Sequence, residues 1–439
     1  MLKVAKFGGS SVSDAGQFKK VKKIIESDSS RRIVVVSAAG KRDKDDHKLT
    51  DLLYLCHAHL TYGVSCDDIF SSIEERFIEI RNDLDLSFKV EDDLSALKAK
   101  LNKDISVDEL VSRGEYLTSR LMAEYLGFHF VDAKDCIFMN FDGTFDTDKI
   151  SKAVQDALDK YSKIVIPGFY GSVPTGKIKV MSRGGSDITG SLVSAASHAD
   201  IYENWTDVSG ILMADPRIVD NPKPISEITY AELRELAFMG ASVLHEDSIM
   251  PVKEVGIPLN IRNTNDPENG GTMIVDSIED CKGSKNDGLI TGVAGRRNFC
   301  IITIRKHNLV SNAVLRKTLE ILEKYNVPVE HITLGLDSFA FVASQSSLGN
   351  SLYDIIGEIQ KAVAADDVQV QDNIALVAAV GRKMSFRPGT SGKLFKALGE
   401  TGVNIRTIAQ GSDELSIIIG VDNSQYETAV RVLYEGFAG

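Results

Sequence analysis

The sequence predicts an α/β protein in two parts, an open sheet with helices on both faces followed by two repeated βαββαβ modules. Over about the first 290 residues, short β-branched runs alternate with longer amphipathic runs, which is typical of strands joined by crossover helices. A glycine-rich junction follows the first of these strands. The remainder of the chain repeats one apolar pattern, which indicates two copies of a small two-layer module.

The composition is that of an ordinary globular protein. The chain has 439 residues, 43% of them apolar and 26% charged, so it can bury more than one core. Its net charge of −12 disfavours nucleic-acid phosphate and anionic lipid, and we expect neither as a partner. The start of the chain lacks a secretory leader and no apolar run could cross a membrane, which favours a cytoplasmic location. The five cysteines have no CxxC spacing, which favours reduced thiols.

The clearest predicted strands are Val4–Phe7, Ile33–Ser37 and Ile164–Pro167. The first runs into Gly8-Gly9-Ser10-Ser11, and we expect a helix to follow this turn, because apolar residues then recur with helical spacing. The apolar face of that helix consists of Phe18, Val21, Ile24 and Ile25. The order strand, glycine turn, helix is typical of an anion-binding junction.

Three further stretches predict a solvated loop, a helical region and the boundary between the two domains. Residues 41–48 are too charged to pack and are expected to form a solvated loop. Between Asp67 and Lys103 a charged pattern with a 3.6-residue period predicts helices packed on one face only. Around 281–288 the periodicity is lost, as in a linker. We therefore expect one domain over 1–285 and a second over 286–439.

The second domain carries an internal repeat. A shift of about 76 residues superposes 319–344 on 395–420, and Val327 then matches Val403. The repeat predicts a duplicated βαββαβ module. We expect the first module to comprise about 298–370 together with the C-terminal segment 424–439, and the second, about 371–423, to be nested within it.

The strongest local motif is Lys6-Phe7-Gly8-Gly9-Ser10-Ser11. Adjacent glycines let the backbone approach a ligand, N–H groups favour an anion, and Lys6 adds a positive charge. The motif therefore fits the terminal phosphates of a nucleotide, although a tightly packed junction would use the same residues. It matches neither the Walker A loop nor the GxGxxG turn.

A second glycine motif lies at 181–189. Arg183 could hold a substrate carboxylate in a two-pronged pair, and Asp187 needs a metal or a lysine as its partner. The alternative is an N-capped helix with Asp187 in its first turn.

Further polar residues follow predicted strands or open helices. Thr206 and Asp207 suit ribose, phosphate or Mg²⁺, and Arg217 suits phosphate, although surface turns have similar sequences. Glu115 could accept hydrogen bonds from an ammonium group, or could simply be a helix-start glutamate. The histidines form no metal-hydrolase or triad motif.

Taken together, these motifs resemble the aspartate kinases of the amino acid kinase superfamily over nearly the whole chain. The matching stretches are KFGGSSV at 6–12, SAAG at 37–40, SRGE at 112–115, SRGGSD at 182–187, WTDVSGI at 205–211, DPR at 215–217 and SVLHEDSIMP at 242–251. The doubled C-terminal modules are similar to ACT domains. The resemblance implies an amino-acid-kinase-like catalytic domain over 1–285 and a regulatory domain with two ACT-like modules over 286–439. The length suits a monofunctional enzyme.

The resemblance implies phosphoryl transfer from MgATP to the β-carboxylate of L-aspartate, giving 4-phospho-L-aspartate, the first step of lysine, threonine and methionine biosynthesis. By motif, Lys6 would stabilise the transferred group and Asp187 would organise Lys6. Arg183 would bind the α-carboxylate of aspartate and Glu115 its α-ammonium. Mg²⁺ would arrive with ATP, with no ligand directly from the protein. The remaining positions of the substrate pocket are Ser37, Thr50 and Ser186.

The resemblance also implies an ATP site. Besides Lys6, its residues would be Gly8, Gly9, Ser10, Thr206, Asp207, Gly210, Asp215 and Arg217. The chain departs from the family near the adenine: Ser242 stands where a lysine is frequent, and Leu212 where a tyrosine is frequent.

In enzymes of this family, ACT modules bind an amino-acid end product between modules of two subunits. The resemblance therefore implies an effector, lysine rather than threonine, and a homodimer or homotetramer formed through these modules. The effector residues would be Asn308, Ser311, Val314, Leu315, Val329 and Glu330.

Two other functions are compatible with parts of the pattern. A superfamily kinase acting on glutamate, acetylglutamate, UMP or carbamate would keep the fold, but the paired ACT-like modules argue against it. A catalytically dead amino-acid sensor would explain Ser242, but the presence of Lys6, Arg183 and Asp187 argues against it.

Overall fold

The structure is a computed structural model that describes residues 1–182, 184–241, 244, 246–277, 289–307, 312–382, 384, 387–411 and 413–437. The chain divides into two compact units. The first comprises Met1–Ile211, Pro224–Tyr230 and Val243–Lys285; the second comprises Leu212–Lys223, Ala231–Ser242 and Asn286–Gly439. Two short segments before residue 243 thus cluster with the second unit. The expected linker at 281–288 lies outside the described residues.

The first unit is built on a mainly parallel sheet. Its strands are β1 (Lys3–Phe7), β2 (Arg31–Val36), β3 (His129–Phe130), β4 (Ile164–Pro167), β5 (Tyr170–Ser172), β6 (Ile178–Val180), β7 (Ile201–Thr206), β8 (Ile211–Leu212), β9 (Pro224–Ile225), β10 (Glu227–Thr229), β11 (Leu259–Asn263) and β12 (Thr272–Val275). Among the described residues, the main sheet has the order β10-β12-β11-β7-β1-β2-β4-β3. Strands β2, β1, β7 and β11 run parallel, so their carboxyl ends meet at one edge.

The helices that begin in this unit are α1 (Ala15–Glu26), α2 (Leu49–Thr61), α3 (Asp67–Asp83), α4 (Val90–Lys98), α5 (Val107–Val111), α6 (Arg113–Leu126), α7 (Thr147–Tyr161), α8 (Gly185–Ala196), α9 (Tyr230–Phe238) and α10 (Glu246–Glu254). They alternate with the strands only in part, because five of them, α2 to α6, follow one another between β2 and β3. Residues 41–48 form neither helix nor strand, as predicted for a solvated loop.

Alternation along the strands separates two helical layers. Phe7 and Trp205 belong to the core cluster that also contains residues of α1, α3 and α6. Since successive strand residues point to opposite faces, Lys6 and Asn204 face the other layer. Helix α8 contacts β1 and β7 there, and α7 and α10 pack against α8. Helices therefore cover both faces of the sheet, which confirms the predicted fold class.

The second unit contains one antiparallel sheet. Its strands are β13 (Gly292–Arg305), β14 (His331–Leu334), β15 (Ser338–Ser344), β16 (Asp367–Val380), β17 (Thr407–Gln410) and β18 (Ser416–Asp422), in the order β14-β15-β13-β16-β18-β17. Its helices after β13 are α11 (Asn312–Lys324), α12 (Gln345–Leu348), α13 (Leu352–Val363), α14 (Thr390–Glu400) and α15 (Tyr426–Phe437). The repeat predicted this duplication: β14 and β17 occupy equivalent positions in the two copies.

Each half of this sheet has its own apolar core. One core joins α11 and α13 to the C-terminal half of β13. The other joins α14 and α15 to β18 and includes Val293 from the start of β13. Leu433 of α15 is fully buried in this second core. The C-terminal helix therefore packs with the second module, whereas the repeat led us to assign 424–439 to the first.

The described helices contain no stretch that is both long enough and apolar enough to span a bilayer.

Candidate active site

The site is centred on a buried lysine at the end of the central strand. Lys6 lies directly opposite Asn204 on the neighbouring strand β7, and both side chains face α8. Asp187, in the first turn of α8, places Oδ1 2.5 Å from the Lys6 ammonium nitrogen. Asn204 Nδ2 donates to the same carboxylate oxygen at 2.9 Å, and Asn204 Oδ1 lies 3.4 Å from Lys6 Nζ. The structure therefore brings together Lys6 and Asp187, which the sequence motifs paired.

Both side chains of this ion pair are largely shielded from solvent. The Lys6 side chain is 8% exposed and that of Asp187 21% exposed, so each charge depends on the other for compensation. The Tyr202 hydroxyl donates to the Asp187 carbonyl at 3.2 Å and fixes the start of α8. Gly190 makes room for this contact, because a Cβ there would lie 2.4 Å from the Tyr202 hydroxyl.

The glycine turn closes over the end of β1. The Gly8 amide donates to the Trp205 carbonyl at 2.9 Å, so this N–H is committed within the protein rather than directed at a ligand. Trp205 also stacks on Phe7, with ring centroids 6.0 Å apart. Gly9 packs against the loop after β2, since a Cβ on Gly9 would lie 2.9 Å from the Ala38 carbonyl oxygen.

The predicted order of strand, glycine turn and helix is confirmed, with a short 3₁₀ turn between the glycines and α1. Residues Gly9–Val12 form a single 3₁₀ turn, and α1 begins only at Ala15. Asp14 caps α1, and its carboxylate accepts from the Gln17 amide at 3.0 Å. The capping carboxylate outcompetes an earlier start because it satisfies a helix N–H that would otherwise lack a partner. The positive end of α1 thus faces Asp14, not the glycine turn.

Glu115 lies on α6 beside the loop that follows β2. It is 4% exposed, and its Oε2 has no hydrogen-bond partner among the described residues. Burial raises the pKa of Glu115 to about 8, although a hydrogen bond from the Ala38 backbone partly offsets the rise. Gly114 permits this approach, because a Cβ there would lie 3.0 Å from that of Ala38. A buried carboxyl with an open oxygen is suited to a cationic ligand group.

The other expected substrate residues occupy separate elements. Ser37 follows β2 and its amide donates to the Phe7 carbonyl at 3.1 Å. Thr50 lies in the first turn of α2. Ser186 lies in the first turn of α8, against Gly168, where a Cβ would come within 2.6 Å of Ser186 Oγ. Arg183 lies outside the described residues.

The expected ATP residues divide between the two units. Thr206 ends β7, its hydroxyl lies 3.2 Å from Asp207 Oδ1, and Asp207 is exposed. Gly210 has a φ of +98°, and a Cβ there would lie 2.4 Å from Thr272 Oγ1, so the position requires glycine. Ser10 lies in the 3₁₀ turn.

Asp215 and Arg217 belong to the second unit, where they pair with each other. The guanidinium Nη2 of Arg217 lies 2.6 Å from Asp215 Oδ2, and this arginine lowers the pKa of the Asp215 carboxyl. The Arg217 side chain is 87% exposed, so its guanidinium remains accessible from solvent.

The expected effector residues also differ in accessibility. Val314 is buried in the core of the first module, and Leu315 and Val329 pack against the same core. Glu330 is held by Arg296, with Nη2 to Oε2 at 2.6 Å. Asn308 and Ser311 lie outside the described residues.

Two site features were missed by the sequence reasoning. Asn204 bridges Lys6 and Asp187, and the alternation of β7 could have placed it on the same face as Lys6. Gly40 holds the glycine turn, because its amide donates to the Gly9 carbonyl at 2.8 Å. The SAAG stretch indicated the loop that contains Gly40, but no local pattern indicated the contact between Gly40 and Gly9.

Comparison with known proteins agrees with this arrangement. The sequence model of the amino acid kinase family matches residues 1–263, and that of an ACT domain matches 377–437. Aspartokinase 3 of Bacillus subtilis is 35% identical over 99% of this chain and 98% of its own length. The crystal structure of the Clostridium acetobutylicum aspartate kinase, described as an important allosteric enzyme, is 47% identical with a TM-score of 0.91, over 99% of both chains.

A more distant neighbour, aspartokinase III of Escherichia coli, has been solved in two complexes. One contains aspartate and ADP in an R-state, with 27% identity, a TM-score of 0.73 and 99% of both chains covered. The other contains lysine and aspartate in a T-state, with 28% identity, a TM-score of 0.74 and 100% of both chains covered.

Proposed function

We propose, since this chain belongs to the amino acid kinase family and is an aspartate kinase, that it transfers the γ-phosphoryl group of MgATP to the β-carboxylate of L-aspartate. The product is 4-phospho-L-aspartate, and the reaction is the first step of lysine, threonine and methionine biosynthesis. The observation that carries this proposal is the Lys6–Asp187 ion pair, at the sheet edge where the glycine turn closes. A buried ammonium group at that point is suited to an oxygen-rich, negatively charged group.

The transfer needs alignment and charge neutralisation more than proton removal. The aspartate β-carboxylate is already a nucleophile, so its oxygen forms the new bond to Pγ while the bond from Pγ to the β,γ-bridging oxygen breaks. The electron pair of that bond leaves with ADP. Lys6 donates to the oxygens of the phosphoryl group as it moves, and Asp187 keeps the ammonium group in place.

Glu115 supports an amino-acid substrate. Its buried carboxyl has an oxygen without a partner among the described residues, and the α-ammonium of aspartate would donate to that oxygen and favour the ionised carboxylate. Arg183 would bind the α-carboxylate, a role that rests on the motif alone. Ser37, Thr50 and Ser186 would complete the pocket.

The nucleotide would bring its own metal. Within the described residues no group of three or more His, Cys, Asp or Glu side chains is arranged to hold an ion. Mg²⁺ would neutralise charge on the β- and γ-phosphates. Gly8, Gly9 and Ser10 would shape the phosphate site with Thr206, Asp207 and Gly210, and Asp215 and Arg217 would contribute to ATP binding.

An acyl-phosphate assay tests the proposal directly. ATP-dependent formation of an acyl hydroxamate is measured with hydroxylamine and a panel of acceptors: L-aspartate, L-glutamate and N-acetylglutamate. We expect product with L-aspartate and little with the longer acids. Activity with another acceptor and none with L-aspartate would contradict the proposed substrate, and no activity with any acceptor would contradict the proposed transfer.

We further propose feedback inhibition by an end-product amino acid, lysine rather than threonine. The support is the ACT-domain match and the structure of E. coli aspartokinase III in complex with lysine and aspartate in a T-state. An effector can inhibit only if it binds the less active arrangement more tightly, so lysine should bind more weakly when an ATP analogue and aspartate are present. A homodimer or homotetramer joined through the ACT modules would supply the site between subunits.

Calorimetric titration with lysine, threonine and methionine tests the regulatory proposal, first with the protein alone and then with an ATP analogue and aspartate present. Heat from lysine that diminishes with analogue and aspartate supports it. Heat from threonine but not from lysine would indicate that threonine is the effector. Heat from none of the three would contradict the regulatory proposal and leave the proposed catalysis unaffected.

A further inference from the structure

We propose that Asn204 is a positioning residue for phosphoryl transfer, which sets the rotation of the Lys6 ammonium group by holding both Lys6 and the carboxylate that pairs with it. This inference rests on the proposed function, because it concerns the same transfer step. The carrying observation is that one buried amide contacts both members of the ion pair.

The contacts leave one ammonium hydrogen for the ligand. A lysine ammonium group has three N–H donors and no acceptor. One donor points at Asp187 Oδ1, 2.5 Å away, and a second points at Asn204 Oδ1, 3.4 Å away. The third is left for an oxygen of the transferred phosphoryl group. Without the amide acceptor, the ammonium group could rotate about its carbon–nitrogen bond, and this third donor would lose its fixed direction.

The amide also fixes the carboxylate. Asn204 Nδ2 donates at 2.9 Å to the same Asp187 oxygen that faces Lys6, so that oxygen receives both donors. Asn204 is only 1% exposed and lies in the middle of the sheet, opposite Lys6 in register. A side chain held by a central strand positions its neighbours more accurately than a loop residue does.

Packing alone does not account for an asparagine here. A strand residue that faces a covering helix is normally apolar, because a buried amide costs free energy unless its donor and acceptor are satisfied. Here both are satisfied, and both partners are the groups of the active site. Leucine has the same branched shape at Cγ and would occupy the site without either contact, which makes Asn204→Leu the informative substitution.

The first test separates turnover from binding. Asn204→Leu should lower kcat by about tenfold or more, because the lost contact matters most as charge moves onto the transferred group, while KM for ATP and for aspartate changes by less than about twofold. The matched control is Asn260→Leu. Asn260 is buried in the neighbouring strand β11, its Oδ1 has no partner among the described residues, and it lies opposite Glu203 rather than Lys6. The control should retain its kcat.

The second test uses Asn204→Asp, which keeps the size and the acceptor but removes the N–H donor. At low pH the introduced carboxyl is protonated and its O–H can donate to Asp187 as the amide does. At higher pH two adjacent carboxylates repel each other. The kcat of this variant, relative to the unaltered enzyme, should therefore fall as pH rises. Lys6 of β1 and Tyr202 of β7 are the titratable side chains that contact Asp187 among the described residues, and both are unchanged in the comparison.

The outcomes are distinguishable. Unaltered enzyme without any transfer activity contradicts the proposed function, whatever the variants do. If the unaltered enzyme is active and Asn204→Leu has the same kcat, the positioning role is overturned. It is also overturned if Asn260→Leu loses as much kcat as Asn204→Leu. The same holds if the kcat of Asn204→Asp, relative to that of the unaltered enzyme, does not change with pH. Thermal unfolding of every variant shows whether it has folded. If Asn204→Leu does not fold, the pH profile of Asn204→Asp decides whether Asn204 has the positioning role.

Discussion

The Gly40 amide donates a hydrogen bond to the Gly9 carbonyl, N to O 2.8 Å, and thereby joins the loops after the two central strands. Neither position has room for a side chain. A Cβ on Gly40 would lie 2.5 Å from the Gly9 carbonyl carbon and 2.7 Å from the Ser10 nitrogen. Both are backbone atoms, which cannot rotate away as a flexible side chain could. The shape of the glycine turn is therefore set from outside the motif.

Gly40→Ala should displace the turn and impair the proposed ATP site. We expect a raised KM for ATP and a lower kcat, with destabilisation of about 1–3 kcal/mol from overpacking. Steady-state kinetics and thermal unfolding measure both effects. Gly270→Ala is the matched control, because no heavy atom lies within 4 Å of its Cβ position. Unchanged kinetics in Gly40→Ala would show that the turn does not shape the nucleotide site.

Lys6→Met should abolish most turnover. The substitution removes the ammonium group that the transferred phosphoryl would contact, and we expect kcat to fall by about 10²–10³-fold. Lys3→Met is the control, since Lys3 lies in the same strand and is also paired, 2.8 Å from Asp28, but lies at the opposite end of β1. Lysine binding by calorimetry should persist in Lys6→Met, and loss of both properties would indicate misfolding.

Glu115→Gln should remove a pH dependence of stability. In the folded protein this carboxyl keeps its proton up to a pKa of about 8, whereas its ordinary value is 4.5. Between these values the folded state binds one more proton than the unfolded state, so the free energy of unfolding falls as pH rises, by about 1.4 kcal/mol per unit. Denaturation with urea from about pH 5 to 8 should show the variant gaining stability over the unaltered protein as pH rises.

The control for this comparison is Glu26→Gln at the surface, where the side chain is 64% exposed. Its stability difference from the unaltered protein should not change over the same pH range. A parallel pH dependence of the unaltered protein and Glu115→Gln would contradict the buried, protonated state of Glu115.

Leu433→Ala should destabilise the second module before the first. The side chain is fully buried among α14 and β18, and its truncation should cost about 2–5 kcal/mol. Hydrogen exchange should accelerate first in β17 and β18, and less in β14 and β15. Tyr353→Ala is the control, because Tyr353 is 83% exposed on α13. Faster exchange in β14 and β15 alone would place the last helix with the first module.

Much of this architecture is readable from local patterns. Ile164–Pro167 was predictable because buried parallel strands are continuous apolar runs. The repeat predicted both modules because a duplicated core duplicates its pattern. The helix after the glycine turn was predictable because its apolar residues recur with helical spacing, and the local Asp14 cap fixes where α1 begins.

The remaining site features depend on strand register. Asn204 meets Lys6 only through the pairing of β1 with β7, and Gly40 meets Gly9 only where two loops converge. Neither contact has a local signal in the sequence. The C-terminal helix was misassigned for a similar reason, because the repeat identifies equivalent residues but not the half of the sheet on which a helix packs.

Trp205 is the only tryptophan in the chain. Its carbonyl holds the Gly8 amide and its ring stacks on Phe7, so the indole lies directly beneath the glycine turn. The fluorescence of this single indole therefore reports on the end of the sheet where the candidate active site lies. Nucleotide titrations can be followed through the tryptophan fluorescence of the unlabelled enzyme, excited selectively over its tyrosines, without a tryptophan signal from the C-terminal modules.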